Sequence, residues 1–297
     1  MNKIDEIKNL ISNKITYSSS KKYCAIIGLN PSKGARSPIL WNGAFRANKL
    51  DIKMLALDVP QKNLKKLFTL LNEDKFFLGG AITAPYKIKI YKYLKNNVDK
   101  NVKAIGAVNC IYRKNNGILI GTNTDGEGAI YSFKKNYRSF KNNQILLFGV
   151  GGVGKAVGSY FSNFINLKKN LILFSRSGQQ KIFAGKLKTK LYKYNQLKNF
   201  YDTADIIINC TDLGSENKLN ESVLSYEQVR KFKKKIIVYD VIYNPKKTKL
   251  LKFASKLKLK HLNGREMNLY QAILAFNYCI SKKQQIKKTS EVMIKIK

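Results

Sequence analysis

Histidine is almost missing from this chain: His261 is the only one among 297 residues. A zinc site built on imidazoles, or a Ser-His-Asp triad, has little to draw on, and no metal is expected. Acidic residues are scarce as well, 18 Asp+Glu against 56 Lys+Arg, for a formal net charge of +38. So basic a chain raises nucleic-acid or acidic-membrane binding as a reading. Yet the cations are overwhelmingly Lys, scattered through every segment, whereas base readout draws on the planar fork of Arg. The excess reads as solvated lysine faces that attract anionic small molecules, and no nucleic acid is expected as a partner. No apolar run approaches the roughly 20 residues of a bilayer span, so no membrane is expected either. The opening "MNKIDEIKNLISNKITYSSSKKY" lacks the continuous apolar stretch of a signal peptide. Cys-x-x-Cys is absent too: Cys24, Cys110, Cys210 and Cys279 stand far apart, mostly inside apolar runs. Buried free thiols in a reducing cytoplasm fit that distribution. What is present, 44% hydrophobic and 11% aromatic residues, is enough for two modest folded domains.

Ile4, Ile7, Leu10 and Ile11 recur at helical spacing, which predicts a short helix over residues 4–12. "YCAIIGL", "KMLALDV" and "KFFLGGAIT" read as strands, "SPILWNGAFRANKL" and "KKLFTLLNE" as helices. Ser37 suits the N-cap of the first helix and Pro38 its first turn. "AVNCIYRKNNGILIGT" carries two β-branched runs around Asn116-Gly117, a hairpin signal. After Asp125 the character changes. A helix, "GEGAIYSFKKNY", leads to four short apolar strands within "QILLFGVGGVGKAVGSYF", "LILFSRS", "ADIIINCTDLGS" and "KIIVYDVIYNP". Near-continuous apolar strands alternating with helices mean a parallel sheet covered on both faces. "GREMNLYQAILAFNYCISKK" reads as a helix with Met267, Leu269, Ala272, Ile273 and Phe276 available to a core. The lysine-rich tail beyond it is expected to fray. The fold class is α/β, in two domains joined near residue 125.

"LLFGVGGVGKAVG" sets Gly149, Gly151, Gly152 and Gly154 directly after a strand and at the start of a helix. Gly149, Gly151 and Gly154 satisfy Gly-x-Gly-x-x-Gly, which lets backbone approach a pyrophosphate held by free helix N–H groups. A dinucleotide site is expected, a glycine-rich structural turn being the plainer alternative. At the end of the next strand an NAD site wants an acid for the ribose 2′-hydroxyl. This chain offers Ser175, Arg176 and Ser177, which suit a 2′-phosphate. NADP (as NADPH) is therefore the expected cofactor, with Arg176 as a mere surface charge the alternative. Asp125 also reads two ways. Asp-Gly is ordinary turn chemistry, or Asp125 is half of a reactive pair whose partner lies elsewhere.

Taken together, these pieces resemble the shikimate dehydrogenase family over nearly the whole chain. Gly28, Pro31, Ser37-Pro38 and Asn42 match its opening loop and helix. "AITAPYK", with Thr83, Pro85 and Lys87, matches Asn-Val-Thr-x-Pro-x-Lys, "GAVNC" supplies Asn109, and "NTDG" supplies Asp125. "NCTDLG", which contains Thr211, resembles Asn-x-Thr-x-x-Gly. "VYDVIYNPKKTKLL" gives Asp240 and Tyr243, and "GREMNLYQAILAF" gives Gly264 and Gln271. The resemblance implies Lys87 and Asp125 as the catalytic pair, and Ser37, Thr83, Asn109, Tyr243 and Gln271 as the lining of the substrate pocket. It implies that Thr211 and Gly264 join the glycine loop and Ser175, Arg176 and Ser177 in holding NADP. Residues 1–125 would form the substrate-binding domain and 126–263 a Rossmann-type NADP-binding domain. Residues 264–297 would form a C-terminal helix returning to the first. The implied reaction is the reversible NADPH-dependent reduction of 3-dehydroshikimate to shikimate, on the route to chorismate and aromatic amino acids. The oligomeric state is left open, a homodimer being the assembly considered.

The chain also departs from the family pattern. Ala35 stands where the family has the first of two serines, the loop from Gly28 is one residue longer, and Ala81 replaces an Asn. In the family those serines bind the substrate carboxylate, so Ser32, Lys33 or Arg36 is expected to supply the missing donor. Ser37 also fits a plain N-cap role. Quinate or a related cyclohexane polyol acid is the alternative substrate. A nucleotide-binding relative without catalysis is the alternative of a different class.

Overall fold

Strands that are apolar at every position need cover on both faces, and the intervening helices supply it. The computed structural model describes residues 3–17, 21–137, 139–280 and 286–296. It divides into two compact units, residues 1–124 with 271–297, and residues 125–270.

The first unit runs α1 (Ile4–Lys8), β1 (Tyr23–Gly28), α2 (Ser37–Ala47), β2 (Lys53–Asp58), α3 (Leu64–Glu73) and β3 (Phe77–Ile82). It continues with α4 (Lys87–Leu94), α5 (Lys100–Ile105), β4 (Cys110–Arg113) and β5 (Leu119–Thr122). Its sheet has the order β2-β1-β3-β4-β5. β1 is parallel to β2 and β3, while β4 and β5 form the expected antiparallel hairpin. Helix α1 stops well short of residue 12. Beyond it Asn13 turns its side chain to the edge strand, bonding Ala56 O at 2.9 Å and accepting from Asp58 N at 2.8 Å. One sheet face packs on α1, α3 and α4 through residues such as Ile7, Leu67 and Ile90. The other is covered by Trp41 and Phe45, whose rings meet Phe276 edge-on and tilted; Trp41 Nε1 donates to Ala272 O at 3.1 Å.

The second unit runs α6 (Asp125–Asn136), β6 (Ile145–Phe148), α7 (Gly152–Phe164), β7 (Leu171–Phe174), α8 (Lys181–Lys186), β8 (Lys190–Tyr192) and β9 (Ile206–Asn209). Then come α9 (Tyr226–Arg230), β10 (Ile237–Asp240), α10 (Lys249–Lys256) and β11 (Lys260–Leu262). All pairings are parallel, in the order β11-β10-β9-β6-β7-β8. The doubly wound α/β class is therefore observed. Alternate residues serve opposite cores: Ile145, Leu147, Ile206 and Ile208 face one, Leu146, Phe148 and Ile207 the other. Six strands form where four were expected. β8 ("KLY") and β11 ("KHL") are three-residue edge strands whose lysines hide them from an apolar-run reading.

Helix α11 (Arg265–Cys279) follows, and the change of unit falls inside it, between Tyr270 and Gln271. The tail corrects another expectation. Residues 281–285 lie outside the described residues, but Ile286–Lys295 form α12 rather than fraying. Thr289 and Met293 are buried against α2, and Asn48 Nδ2 donates to Thr289 Oγ1 at 3.2 Å. The apolar positions Met293 and Ile296 recur at helical spacing among the lysines.

Lysine also stands at helix ends. Lys49, Lys188 and Lys258 have φ of 52°, 54° and 55°, just past the ends of α2, α8 and α10. At each, the next amide reaches five residues back: Leu50 N to Phe45 O, Thr189 N to Ala184 O, Leu259 N to Ala254 O. These are Schellman endings with Lys in the seat usually held by Gly. Among the described residues no helix is long and apolar enough to cross a membrane.

Candidate active site

In the first unit, β3 delivers the Thr83 loop. Thr83 N donates to Ile27 O at 2.9 Å, the Ala84–Pro85 peptide is cis, and Lys87 then opens α4. Lys87 O accepts from Val108 N at 3.0 Å, which ties the start of α4 to the "GAVN" run. Asn109 comes next, almost fully buried. Its Nδ2 donates to Thr124 Oγ1 at 3.0 Å and to Gln271 Oε1 at 3.2 Å, while its Oδ1 accepts from Thr124 N at 2.8 Å. Thr124 Oγ1 in turn donates to Gln271 O at 3.0 Å. Asn109 and Gln271, named from motifs far apart in sequence, are thus neighbours. Thr124 belongs to the same cluster and was not singled out from sequence; its position inside "NTDG" was the available signal.

Asp125 is the first residue of α6 and is buried. The turn reading of Asp125-Gly126 does not hold, because both residues are helical. Gly126 serves packing instead: a Cβ there would lie 2.2 Å from Tyr160 Cδ2 and 2.6 Å from Ala156 O of α7. A carboxylate in a first helical turn meets the positive end of the helix dipole.

Ser37 is likewise not the N-cap. It is the first residue of α2, Arg36 occupies the cap position, and no side chain caps the helix. Ser37 is nonetheless buried. Of the three residues considered as replacements for the missing serine, Ser32 is already engaged. Its amide donates to Asp58 Oδ1 at 2.8 Å and its hydroxyl to Asp58 Oδ2. Asp58, a lone acid closing an apolar strand, was passed over in the sequence. Lys33 is exposed and Arg36 half-buried.

In the second unit, Gly149 follows β6 with φ of 89°, and its amide donates to Phe174 O at 3.0 Å. A side chain at Gly154 would stand 1.8 Å from Gly149 O, so only glycine lets the helix approach the strand this closely. Gly151 caps α7 with no side-chain hydrogen bond, and nothing stands within 4 Å of where its Cβ would be. Open space before an uncapped helix N-terminus fits a pyrophosphate. Beyond β7, Ser175 is buried, with its hydroxyl donating to Gln180 Oε1 at 2.6 Å, while Arg176 and Ser177 are exposed. No acid stands at that strand end, so the residues present fit NADP. Thr211 is fixed by Asn209, whose Oδ1 accepts from Thr211 N at 3.0 Å and Oγ1 at 2.7 Å. Tyr243 is half-buried in the loop after β10, and Gly264 N donates to Ile242 O at 3.0 Å.

Comparison with known proteins decides the lineage. Residues 26–111 match the family described as the shikimate dehydrogenase substrate binding domain. The chain is 34% identical, over 270 residues, to the shikimate dehydrogenase (NADP(+)) of Methanocaldococcus jannaschii, covering 87% of this chain and 91% of that one. This chain belongs to the shikimate dehydrogenase family. The shikimate dehydrogenase (NADP(+)) of Methanococcus aeolicus is 35% identical over 288 residues, covering 94% and 99% of the two chains. A crystal structure of a shikimate dehydrogenase in complex with NADP+ superposes with a TM-score of 0.80 at 30% identity, covering 95% of this chain and 97% of its own. The family's two-part α/β fold is the fold described above.

Proposed function

We propose that this chain catalyses the reversible NADPH-dependent reduction of 3-dehydroshikimate to shikimate, a step toward chorismate and the aromatic amino acids. The observation that carries the reading is the 34% identity to an NADP-dependent shikimate dehydrogenase across 87% of the chain. When bound, NADPH supplies the hydride. The chain's own share is binding and proton handling. Reduction of a ketone builds negative charge on its oxygen, and the Lys87 ammonium is the group that donates a proton there. Asp125 is its carboxylate counterpart and accepts from a substrate hydroxyl. Ser37, Thr83, Asn109, Gln271 and Tyr243 bind the substrate's polar groups. Lys33 or Arg36 completes the carboxylate's donors in place of the serine lost at Ala35. Gly149, Gly151, Gly152, Gly154, Thr211 and Gly264 take the dinucleotide, with Arg176 and Ser177 at its 2′-phosphate and Ser175 shaping that turn. The free thiols Cys24, Cys110, Cys210 and Cys279 support work in a reducing cytoplasm.

The deciding experiment compares turnover of shikimate and quinate with NADP+ and NAD+. Shikimate with NADP+ is expected to exceed every other combination by about tenfold or more in kcat/KM. A quinate preference would replace the substrate, and absence of turnover on all four would leave a binding protein.

A further inference from the structure

The last residues of three neighbouring strands in the second unit stand in register: Phe148 beside Asn209, and Asn209 beside Asp240. Asp240 is fully buried. A buried carboxylate is costly unless it is hydrogen-bonded, and this one accepts from Asn209 Nδ2 at 3.1 Å, Ile242 N at 3.1 Å and Thr248 Oγ1 at 2.6 Å. Two of the donors lead to loops and the third to the start of a helix. Asn209 holds Thr211, against which a Cβ at Gly149 would lie 2.7 Å from Thr211 Cγ2. Ile242 precedes Tyr243 and accepts the Gly264 amide through its carbonyl. Thr248 caps α10, accepting from Leu251 N at 3.3 Å.

A single cap needs one acceptor bond, whereas this buried acid gathers three donors from three separate segments. We propose that Asp240 is a positioning residue: one carboxylate sets the Thr211, Tyr243 and Gly264 loops at the spacing that cofactor and substrate need. The inference rests on the function proposed above.

Burial pushes the Asp240 carboxyl up to about 7, against the pull of its Thr248, Ile242 and Asn209 hydrogen bonds. A protonated carboxyl loses acceptor capacity, so the three loops loosen as pH falls through that range. Burial holds the Cys210 thiol and the Tyr239 phenol protonated well above it. Lys249, beside Thr248, reaches out to Asn220 O, and His261 on β11 bonds Leu259 O.

The test is Asp240→Asn, an isosteric change, assayed for KM, kcat and calorimetric NADP+ affinity between about pH 6 and 9. Expected are KM values for NADPH and shikimate raised about tenfold with kcat within about threefold, in a protein that melts normally. The parent should also lose NADP+ affinity toward low pH more steeply than the variant. The cofactor's own phosphate, with a second pKa near about 6, titrates equally in both, so the difference profile reads Asp240. Unchanged KM values in a folded Asp240→Asn, or parallel profiles, overturn the proposal. If that variant does not fold, Thr248→Val removes the shortest bond together with the α10 cap and should raise the same KM values several-fold; no change overturns it. A parent protein inert on shikimate would sink the substrate reading, while a weakened NADP+ affinity in the variant would still uphold Asp240's role.

Discussion

Asn109 Nδ2 donates to Gln271 Oε1 at 3.2 Å across 162 positions of sequence, and the same amide holds the Thr124 backbone immediately before Asp125. Replacing Asn109 with Ala would strand the Thr124 amide in a buried place, a loss of about 1–3 kcal/mol. Chemical denaturation should read that loss. The KM for shikimate should also rise about tenfold, and a variant with unaltered stability would show that Thr124 has another anchor.

Lys87→Ala should lower turnover by about 10²–10⁴ while NADPH binding, followed by fluorescence, persists. Near-normal turnover would remove Lys87 from the chemistry and leave it as the first residue of α4 only.

Arg176→Ala should erode the preference for NADPH over NADH, since the charge-assisted contacts to a 2′-phosphate are worth roughly 1.5–3 kcal/mol. The ratio of kcat/KM for the two cofactors is the measurement. A parent enzyme that uses both equally would contradict the assignment before any mutation is made.

Arg113 predicts a stability effect away from the site. Its guanidinium donates to five carbonyls: Phe77 O, Asn72 O, Gly117 O, Leu71 O and Asp74 O, at 2.6–3.1 Å. It thereby closes the end of α3, the start of β3 and the hairpin turn together. Arg113→Lys keeps the charge but not the fork, and should cost about 2–4 kcal/mol by denaturant titration. A cost within error would mean that water replaces the contacts.

The doubly wound sheet was legible because both of its faces are buried, which leaves β6, β7, β9 and β10 as unbroken apolar runs. β8 and β11 were not, since edge strands tolerate lysine. The glycine loop announced itself through spacing, yet the reasons differ by residue: Gly149 for its φ of 89°, Gly154 for contact with Gly149 O. Motif order could name Asn109 and Gln271 but not their hydrogen bond, because pairing over such a distance is decided by tertiary packing. The same holds for Ser32, whose partner Asp58 lies 26 residues away. Ser37 shows the reverse error, a residue type suited to capping that sits one place inside the helix instead.

The Schellman endings at Lys49, Lys188 and Lys258 bear on how this protein could be changed. Left-handed backbone at an L-residue carries roughly 1–2 kcal/mol of steric penalty that glycine escapes. Lysine at these positions meets a backbone geometry that opposes it. Those three seats hold a reserve of thermal tolerance that glycine could release, at helix ends distinct from every residue assigned a role in binding or chemistry. A protein engineer seeking a sturdier catalyst would begin there.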